Sequence, residues 1–232
     1  MCPIMCWSAG ADAVAGAVVG AIGVGVLAGA RRGRDRVLGS LPLVLGVHQL
    51  VEAVVWRDTQ GRVSAGVGRA AVDAWAVIAF VVLPSLVPAG VWVAVRPSGA
   101  ARRRLAVCLG FGVVVSVVML VRVVVSGVTA SAHGHVLEYG LGVASGAGYV
   151  LIAGYLVAAL GAPLLSGDRF LWWFGVLATA GAVGCAAAWR LAFASTWCGY
   201  AAVLSVWLLV WVRRRPDGAS RSGSGAAAAQ AE

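Results

Sequence analysis

The stretch Gly46-Val47-His48-Gln49-Leu50-Val51-Glu52-Ala53-Val54-Val55-Trp56 places three polar side chains in the middle of a run that is otherwise apolar. His48, Glu52 and Trp56 recur every four positions, so a helix carries them on one face with Gln49 beside them. Ionisable side chains at bilayer depth cost several kcal/mol unless they are paired, protonated or hydrated, and they mark functional sites by default. We therefore interpret this helical face as the wall of a site.

The composition around this stretch indicates a membrane protein. Of the 232 residues, 61% are hydrophobic and 12% are charged, and the mean hydropathy is +0.91. Long unbroken apolar runs exclude the alternating strands of a barrel, whereas a helix satisfies its own backbone polar groups in lipid. The predicted fold class is all-α, a polytopic bundle of seven transmembrane helices in the plasma membrane. The predicted spans are residues 8–30, 37–56, 71–95, 105–126, 143–165, 170–189 and 192–212.

The net charge of +9 reflects 18 arginines, because the chain contains no lysine. These arginines cluster between apolar spans, which topology explains better than a nucleic-acid partner does. Most follow predicted spans 1, 3, 5 and 7, so the positive-inside rule places the N-terminus outside and the C-terminus in the cytoplasm. Residues 1–212 form the predicted transmembrane domain. Residues 213–232 form a cytoplasmic tail whose Gly, Ser and Ala content is typical of disorder.

The five cysteines are too few and too scattered for a disulfide framework, and they show no zinc-binding spacing. Cys6 and Cys198 could form a single disulfide on the oxidising outer side. Cys108 falls in the inner half of its span and is expected to pack as an apolar side chain.

Most polar groups fall in the outer halves of the predicted spans. Besides His48 and Glu52, this level includes Asp12 in span 1, Asp73 in span 3 and Arg122 in span 4. The outer loop before span 5 adds His133, His135 and Glu138. Several aromatic residues occupy the same level, where they form either an interfacial belt or the lining of a cavity. The candidate substrate-binding residues are Gln49, Trp56, Trp75, Tyr139, Trp189, Trp197 and Tyr200.

A carboxyl group in an oily, indole-lined cavity has a definite chemistry. Desolvation favours its neutral form, so Glu52 is expected to keep its proton and to act as an acid. The indole faces would stabilise a developing carbocation by cation–π attraction. This chemistry suits protonation-initiated rearrangement of a lipophilic polyene, with Glu52, Asp73 and His48 as catalytic candidates and with no metal or cofactor. The alternative for this carboxyl is a structural hydrogen bond or an ion pair, for example with Arg122.

Two other functions remain open. His48 and Glu52, together with His133 and His135, could hold a metal, which would indicate a metal-binding or a proton- or small-molecule-transporting membrane protein. The small-xxx-small patterns in the spans could instead serve a structural partner subunit or a homo-oligomer. The expected partners are membrane lipids and a lipophilic small molecule from the bilayer.

Met5-Cys6-Trp7-Ser8-Ala9, taken with the element Gln49-x-x-Glu52-x-x-x-Trp56, resembles an uncharacterised family of small bacterial membrane proteins. This resemblance implies that Met5 is the usual start of the family pattern. Seven short helices with an acid in span 2 are also similar to the integral membrane terpene cyclases of the drimentine type, which cyclise a prenyl chain on an indole-containing substrate. That similarity implies that Glu52 is the proton donor. Spans 6 and 7 lack the second acid of those cyclases, which leaves Asp73, Asp12, Glu138 or His48 as the final base.

Overall fold

The computed structural model describes residues 8–133, 136–142, 145–188 and 193–215. Within these ranges the chain forms seven helical rods and one antiparallel β-hairpin, so the predicted all-α class is confirmed. The helices are α1 (Ala9–Gly29), α2 (Asp35–Gly39), α3 (Leu41–Thr59), α4 (Ala65–Val77), α5 (Leu83–Val95), α6 (Gly99–Ser126), α7 (Ser145–Leu156), α8 (Ala162–Leu164), α9 (Arg169–Ala188) and α10 (Phe193–Arg214). The π-helical segments Ile78–Val82 and Val157–Gly161 join α4 to α5 and α7 to α8.

Five of the rods are long and apolar enough to cross a membrane. They are Ala9–Gly29, Asp35–Thr59, Ala65–Val95, Gly99–Ser126 and Gly146–Leu164. Helices α9 and α10 occupy the predicted spans 6 and 7, and α10 continues two residues beyond the predicted end of the transmembrane domain. Of the predicted tail, residues 213–232, positions 216–232 lie outside the described residues. The direction in which the chain crosses the membrane stays a prediction.

Helices α1 and α3 pack against each other through glycines. A Cβ atom added at Gly23 would lie 2.4 Å from the main-chain nitrogen of Leu43, and one added at Gly46 would lie 2.5 Å from that of Gly20. Small residues permit such close approach of helix backbones in a membrane. The contact pairs Gly23 with Leu43 and Gly16 with Gly46 and Leu50, so the two helices run antiparallel.

We expect Gly23→Ala to lower the free energy of unfolding by about 2 kcal/mol, because the added methyl group meets backbone that cannot move aside. Gly20→Ala, on the same helix, is the matched control. Its Cβ meets nothing within 4 Å, and alanine favours a helix over glycine by up to about 1 kcal/mol. Unfolding by SDS in mixed micelles, followed by tryptophan fluorescence, measures both variants. Equal stability of the two variants would contradict the close α1–α3 contact.

The rod that contains α4 and α5 departs from regular geometry just before Pro84. The π-helical segment Ile78–Val82 precedes Pro84, and the carbonyl of Val81 accepts a hydrogen bond of 2.6 Å from the Ser116 hydroxyl of α6. A Cβ at Gly112 of α6 would lie 2.1 Å from the Pro84 carbonyl oxygen. The irregular backbone is therefore covered by α6, as irregular backbone within a bilayer requires.

Apolar side chains form two clusters. The larger one, the inner cluster, includes Val26, Leu38, Val91, Leu105 and Trp211, and it fills the end of the bundle at which the arginines lie. The smaller one, the hairpin-end cluster, lies at the opposite end and includes the five side chains of Val55, Val72, Ala76, Val128 and Leu137. Cys108 is buried in the inner cluster, as expected for an apolar packing role.

The arginine-rich end is held together by one guanidinium group. Arg215 donates to Asp35 Oδ1 at 3.1 Å and to Asp168 Oδ2 at 2.7 Å. It also donates to the carbonyl of Ala94 at 3.2 Å and lies 4.4 Å from the centre of the Trp211 ring. Arg215 therefore connects the start of α2, the end of α5 and the turn before α9.

The predicted outer loop between spans 4 and 5 contains a β-hairpin that the sequence did not predict. Strand β1 (Thr129–His133) pairs antiparallel with β2 (Val136–Gly140), and Thr129 lies opposite Gly140. Val128 and Leu137 bury apolar side chains in the hairpin-end cluster. The hairpin is therefore packed onto the bundle.

Candidate active site

Helix α3 carries the polar face that the sequence predicted. The side chains of His48, Gln49, Glu52 and Trp56 are all buried, and Glu52 has no exposed surface. Pro42 lies in the first turn of α3, where the missing N–H does not interrupt the helix. A regular helix then places residues 48, 52 and 56 one above another along the bundle.

Helix α1 adds a second buried carboxyl group. Asp12 is 1% exposed, and its carboxylate faces the indole of Trp56. The antiparallel register explains this position, because Asp12 lies one turn before Gly16, which itself contacts the turn of α3 at Leu50. Asp12 is therefore level with the turn of α3 that runs from Glu52 to Trp56. The sequence placed Asp12 at the outer level but gave no reason to pair it with Trp56.

Helix α4 contributes the indole of Trp75, which is 3% exposed. Its ring centre lies 5.0 Å from that of His48 and 3.5 Å from that of Tyr139, with which it stacks at an interplanar angle of 4°. Phe80 meets the same indole edge-on at 5.7 Å. Trp75 therefore links the polar face of α3 to the hairpin, and the predicted Trp75 and Tyr139 lie together.

Two arginines fasten the ends of the hairpin segment to the bundle. Arg69 of α4 donates to the carbonyl of Val128 at 3.3 Å, just before β1. Arg122 of α6 donates to the carbonyl of Gly142, just after β2. Arg122 therefore supports the hairpin, and the alternative ion pair with Glu52 stays a prediction.

Several buried polar atoms at this end have no hydrogen-bond partner among the described residues. They include Asp12 Oδ2, Trp56 Nε1 and Trp75 Nε1. The Trp56 indole approaches the Asp12 carboxylate, but the two groups do not complete a well-aligned hydrogen bond. Buried polar groups of this kind are uncommon in folded proteins and call for an explanation such as a ligand or bound water. A ligand bound beside α3 could form hydrogen bonds with these donors and acceptors.

Comparison with known protein families gives a match over most of the chain. Residues 5–223 match DUF6629, a family of unknown function. The chain belongs to this family. The DUF6629 match begins at Met5, where the sequence predicted the family pattern to start, and it includes the α3 face. No curated protein matches the chain, and no solved structure does.

Other predicted residues of this DUF6629 protein lie away from the buried face. Asp73 is half-exposed and forms an ion pair of 3.1 Å with Arg69, four residues earlier on α4. The ion pair balances the charge of Asp73, while Asp73 Oδ1 is buried without a hydrogen-bond partner among the described residues, and the catalytic role of Asp73 stays a prediction. The spacing Arg69-x-x-x-Asp73 could have indicated this pair from the sequence alone.

Glu138 and Tyr200 also contact residues outside the buried face of α3. Glu138 is exposed on β2 and lies 3.4 Å from His133 Nδ1 across the hairpin. Tyr200 of α10 donates from its hydroxyl to the carbonyl of Leu177 at 2.9 Å and packs against the inner cluster. The structure therefore places Tyr200 in the packing between α9 and α10 rather than with Trp75.

The other residues predicted for the site, or their side chains, are among those that the structure does not describe. Trp189, His135 and Cys6 are not described, and neither are the side chains of Trp197 and Cys198. Among the described residues, no group of three or more His, Cys, Asp or Glu side chains is arranged to hold a metal ion. Because His48 is buried in α3 while His133 is exposed on the hairpin, these two histidines do not form the predicted metal site.

Proposed function

We propose that this protein is a metal-independent membrane enzyme of the terpene cyclase type. It would protonate a lipophilic prenyl substrate, such as a prenylated indole alkaloid, and so start its cyclisation. The observation that supports this proposal is the burial of two carboxyl side chains, Glu52 and Asp12, at the level of the aromatic rings of Trp56, Trp75 and Tyr139.

The two carboxyl groups suit different steps. Acid-initiated cyclisation needs one protonated carboxyl group as the proton donor and one ionised carboxyl group as the final base. We assign the protonated role to Glu52, whose side chain is fully buried, and the ionised role to Asp12, whose carboxylate faces the polar edge of the Trp56 indole. Asp12 thereby takes the place of the final base that the sequence left open.

The proposed reaction is an isomerisation. Glu52 transfers its proton to the CH carbon of the terminal double bond, (CH₃)₂C=CH, and the π electrons of that double bond form the new C–H bond, which leaves the positive charge on the dimethyl-substituted carbon. The π electrons of the next double bond attack the resulting tertiary cation and form a ring C–C bond. Asp12 then removes a proton from a carbon next to the final cation, and the C–H electrons form a new alkene. Asp12 then releases this proton to water and Glu52 takes up a proton from water, which restores the starting state.

The aromatic rings have a separate role. A carbocation near a desolvated indole face is stabilised by about 2 kcal/mol or more. Trp75 suits this role, because it is buried and held in place by Tyr139 on one side and His48 on another. The ring orientation is thus fixed before a substrate arrives, which is what preorganised stabilisation of developing charge requires.

The distribution of acids favours a closed site over a transport path. In the described part of the chain, the carboxyl groups at the arginine-rich end are Asp35 and Asp168, and both are bound to Arg215. Between them and His48 lies the inner cluster of apolar side chains. A proton path across a membrane needs ionisable or hydrated groups along its whole length, so transport has less support.

Deuterium incorporation tests the proposal. Purified protein in nanodiscs is incubated in D₂O with a panel of geranyl- and farnesyl-substituted indoles, and the products are analysed by mass spectrometry and NMR. We expect a cyclic product isomeric with its substrate that carries one deuterium at the former CH carbon of the terminal double bond, because the initiating proton comes from an exchangeable carboxyl group. A cyclic product without deuterium would exclude protonation as the first step. No conversion of any panel member would exclude this substrate class.

A further inference from the structure

A second candidate site lies at the opposite end of the bundle from Glu52. A cavity of about 350 Å³ opens between the end of α5 and the start of α6. It is lined by Trp92, Val93, Arg96, Pro97 and Arg102. Two cationic side chains therefore share one shallow, open depression with an indole and two apolar residues.

The backbone around the cavity has a defined shape. Arg96 ends α5 with φ 50°, and it is the one non-glycine residue with positive φ among those the structure describes. Such a conformation is uncommon for residues with a Cβ atom and often occurs at functional positions. The N–H of Arg96 donates to the carbonyl of Trp92, and Pro97 follows directly. The turn that presents Arg96 is therefore held from both sides.

The side chain of Arg102 is positioned by its contact with Trp92 and not by a backbone turn. Its guanidinium carbon lies 6.0 Å from the centre of the Trp92 ring, at the limit of a cation–π contact. Trp92 lies one turn from the end of α5, where aromatic side chains meet the membrane interface. The guanidinium group is thus held at the level at which lipid headgroups lie.

Among the described residues, neither Arg96 nor Arg102 forms an ion pair with an acidic side chain. Both carboxylates at this end, Asp35 and Asp168, already bind Arg215. The arginines of this end are Arg31, Arg32, Arg34, Arg36, Arg96, Arg102, Arg103, Arg104, Arg169, Arg213, Arg214 and Arg215. An anion at the cavity would therefore experience a strong positive potential.

We propose that this cavity binds the phosphate of an anionic phospholipid headgroup. Arg96 and Arg102 contact the phosphate oxygens, and Trp92 packs against the glycerol region. The acyl chains follow the face of α6 below Arg102, where Val113 and Val117 are exposed. These residues lie on the same helical face as Arg102, at spacings of eleven and fifteen positions. Basic cavities between membrane helices at the arginine-rich side bind such headgroups.

Lipid binding by full-length protein in neutral detergent micelles tests this site. The probe is fluorescently labelled phosphatidylglycerol, with labelled phosphatidylcholine as the zwitterionic comparison. We expect the double variant R96Q/R102Q to bind phosphatidylglycerol about tenfold more weakly or worse, because each arginine near an anionic headgroup contributes appreciably to its binding. The matched control is R103Q/R104Q, which removes the same charge from adjacent residues that do not line the cavity. The control should retain nearly the full affinity.

Three results would overturn the proposal. Equal weakening in both double variants would show diffuse attraction to the arginine-rich surface. Equal affinity of the unmodified protein for phosphatidylglycerol and phosphatidylcholine would show that the phosphate charge is not recognised. Displacement of the labelled lipid by millimolar inorganic phosphate, at constant ionic strength, would show a site for free phosphate rather than for a lipid.

Discussion

Glu52→Gln is expected to lower the rate of cyclisation by about 10³-fold or more, because an amide cannot supply the proton that starts the reaction. The substitution keeps nearly the same side-chain volume at a position with no exposed surface. The fold should therefore persist, and a substrate should still bind. Product formation in nanodiscs, measured together with equilibrium binding of the substrate, separates the loss of chemistry from a loss of affinity.

Glu138→Gln is the matched control for this prediction. It makes the same chemical change on the exposed face of the hairpin, where Glu138 pairs with His133. A carboxyl group at that position is outside the buried face, so the rate should change by no more than about twofold. If Glu52→Gln retained activity and still placed deuterium in the product, the proton donor would have to be a different group.

Arg215→Ala is expected to lower the free energy of unfolding by about 3 kcal/mol, because it leaves two carboxylates without their cation in a partly buried position. The Asp35 side chain is 2% exposed and that of Asp168 is 23% exposed. Water can therefore compensate the second charge but not the first. Unfolding in SDS mixed micelles, followed by tryptophan fluorescence, gives the difference from the unsubstituted protein.

Two further variants identify the cause of that loss. Arg213→Ala removes an exposed arginine in the last turn of α10, two residues before Arg215, and should leave stability within about 0.5 kcal/mol. Adding Asp35→Asn to Arg215→Ala should recover part of the lost free energy of unfolding, because the amide leaves no unpaired charge in the buried position. Equal losses in Arg213→Ala and Arg215→Ala would show that net charge, and not the contact with both aspartates, accounts for the effect.

The sequence predicted the helical elements well because their signal is local. Each apolar run of about 20 residues spans a bilayer whichever helices surround it. The spacing of His48, Glu52 and Trp56 likewise fixes a helical face without reference to the rest of the chain. The burial of that face and of Gln49 was therefore accessible from the sequence.

The features that the sequence did not predict depend on contacts between residues that are far apart in the chain. Asp12 meets Trp56 only because Gly16, Gly23 and Gly46 set the register of α1 on α3, and the sequence does not state which small residues face each other. Arg215 is 180 residues away from Asp35, so no local pattern connects them.

The hairpin was missed for a different reason. Strands β1 and β2 have five residues each, and β1 is largely exposed, so no long alternating pattern distinguishes them from a polar loop. Their stability comes from the burial of Leu137 and the stacking of Tyr139 on Trp75. Both contacts require the bundle to be in place first.

The attachment of the hairpin has a consequence for how a cyclase of this kind would be assayed. Arg69 and Arg122 hold both ends of the hairpin segment, and Tyr139 lies flat on Trp75, so the aqueous approach to that part of the bundle is obstructed. A lipophilic substrate would enter laterally from the lipid, between two helical rods. Its turnover should then follow its mole fraction in the bilayer and not its bulk concentration, and adding inert lipid at constant substrate should slow the reaction by surface dilution.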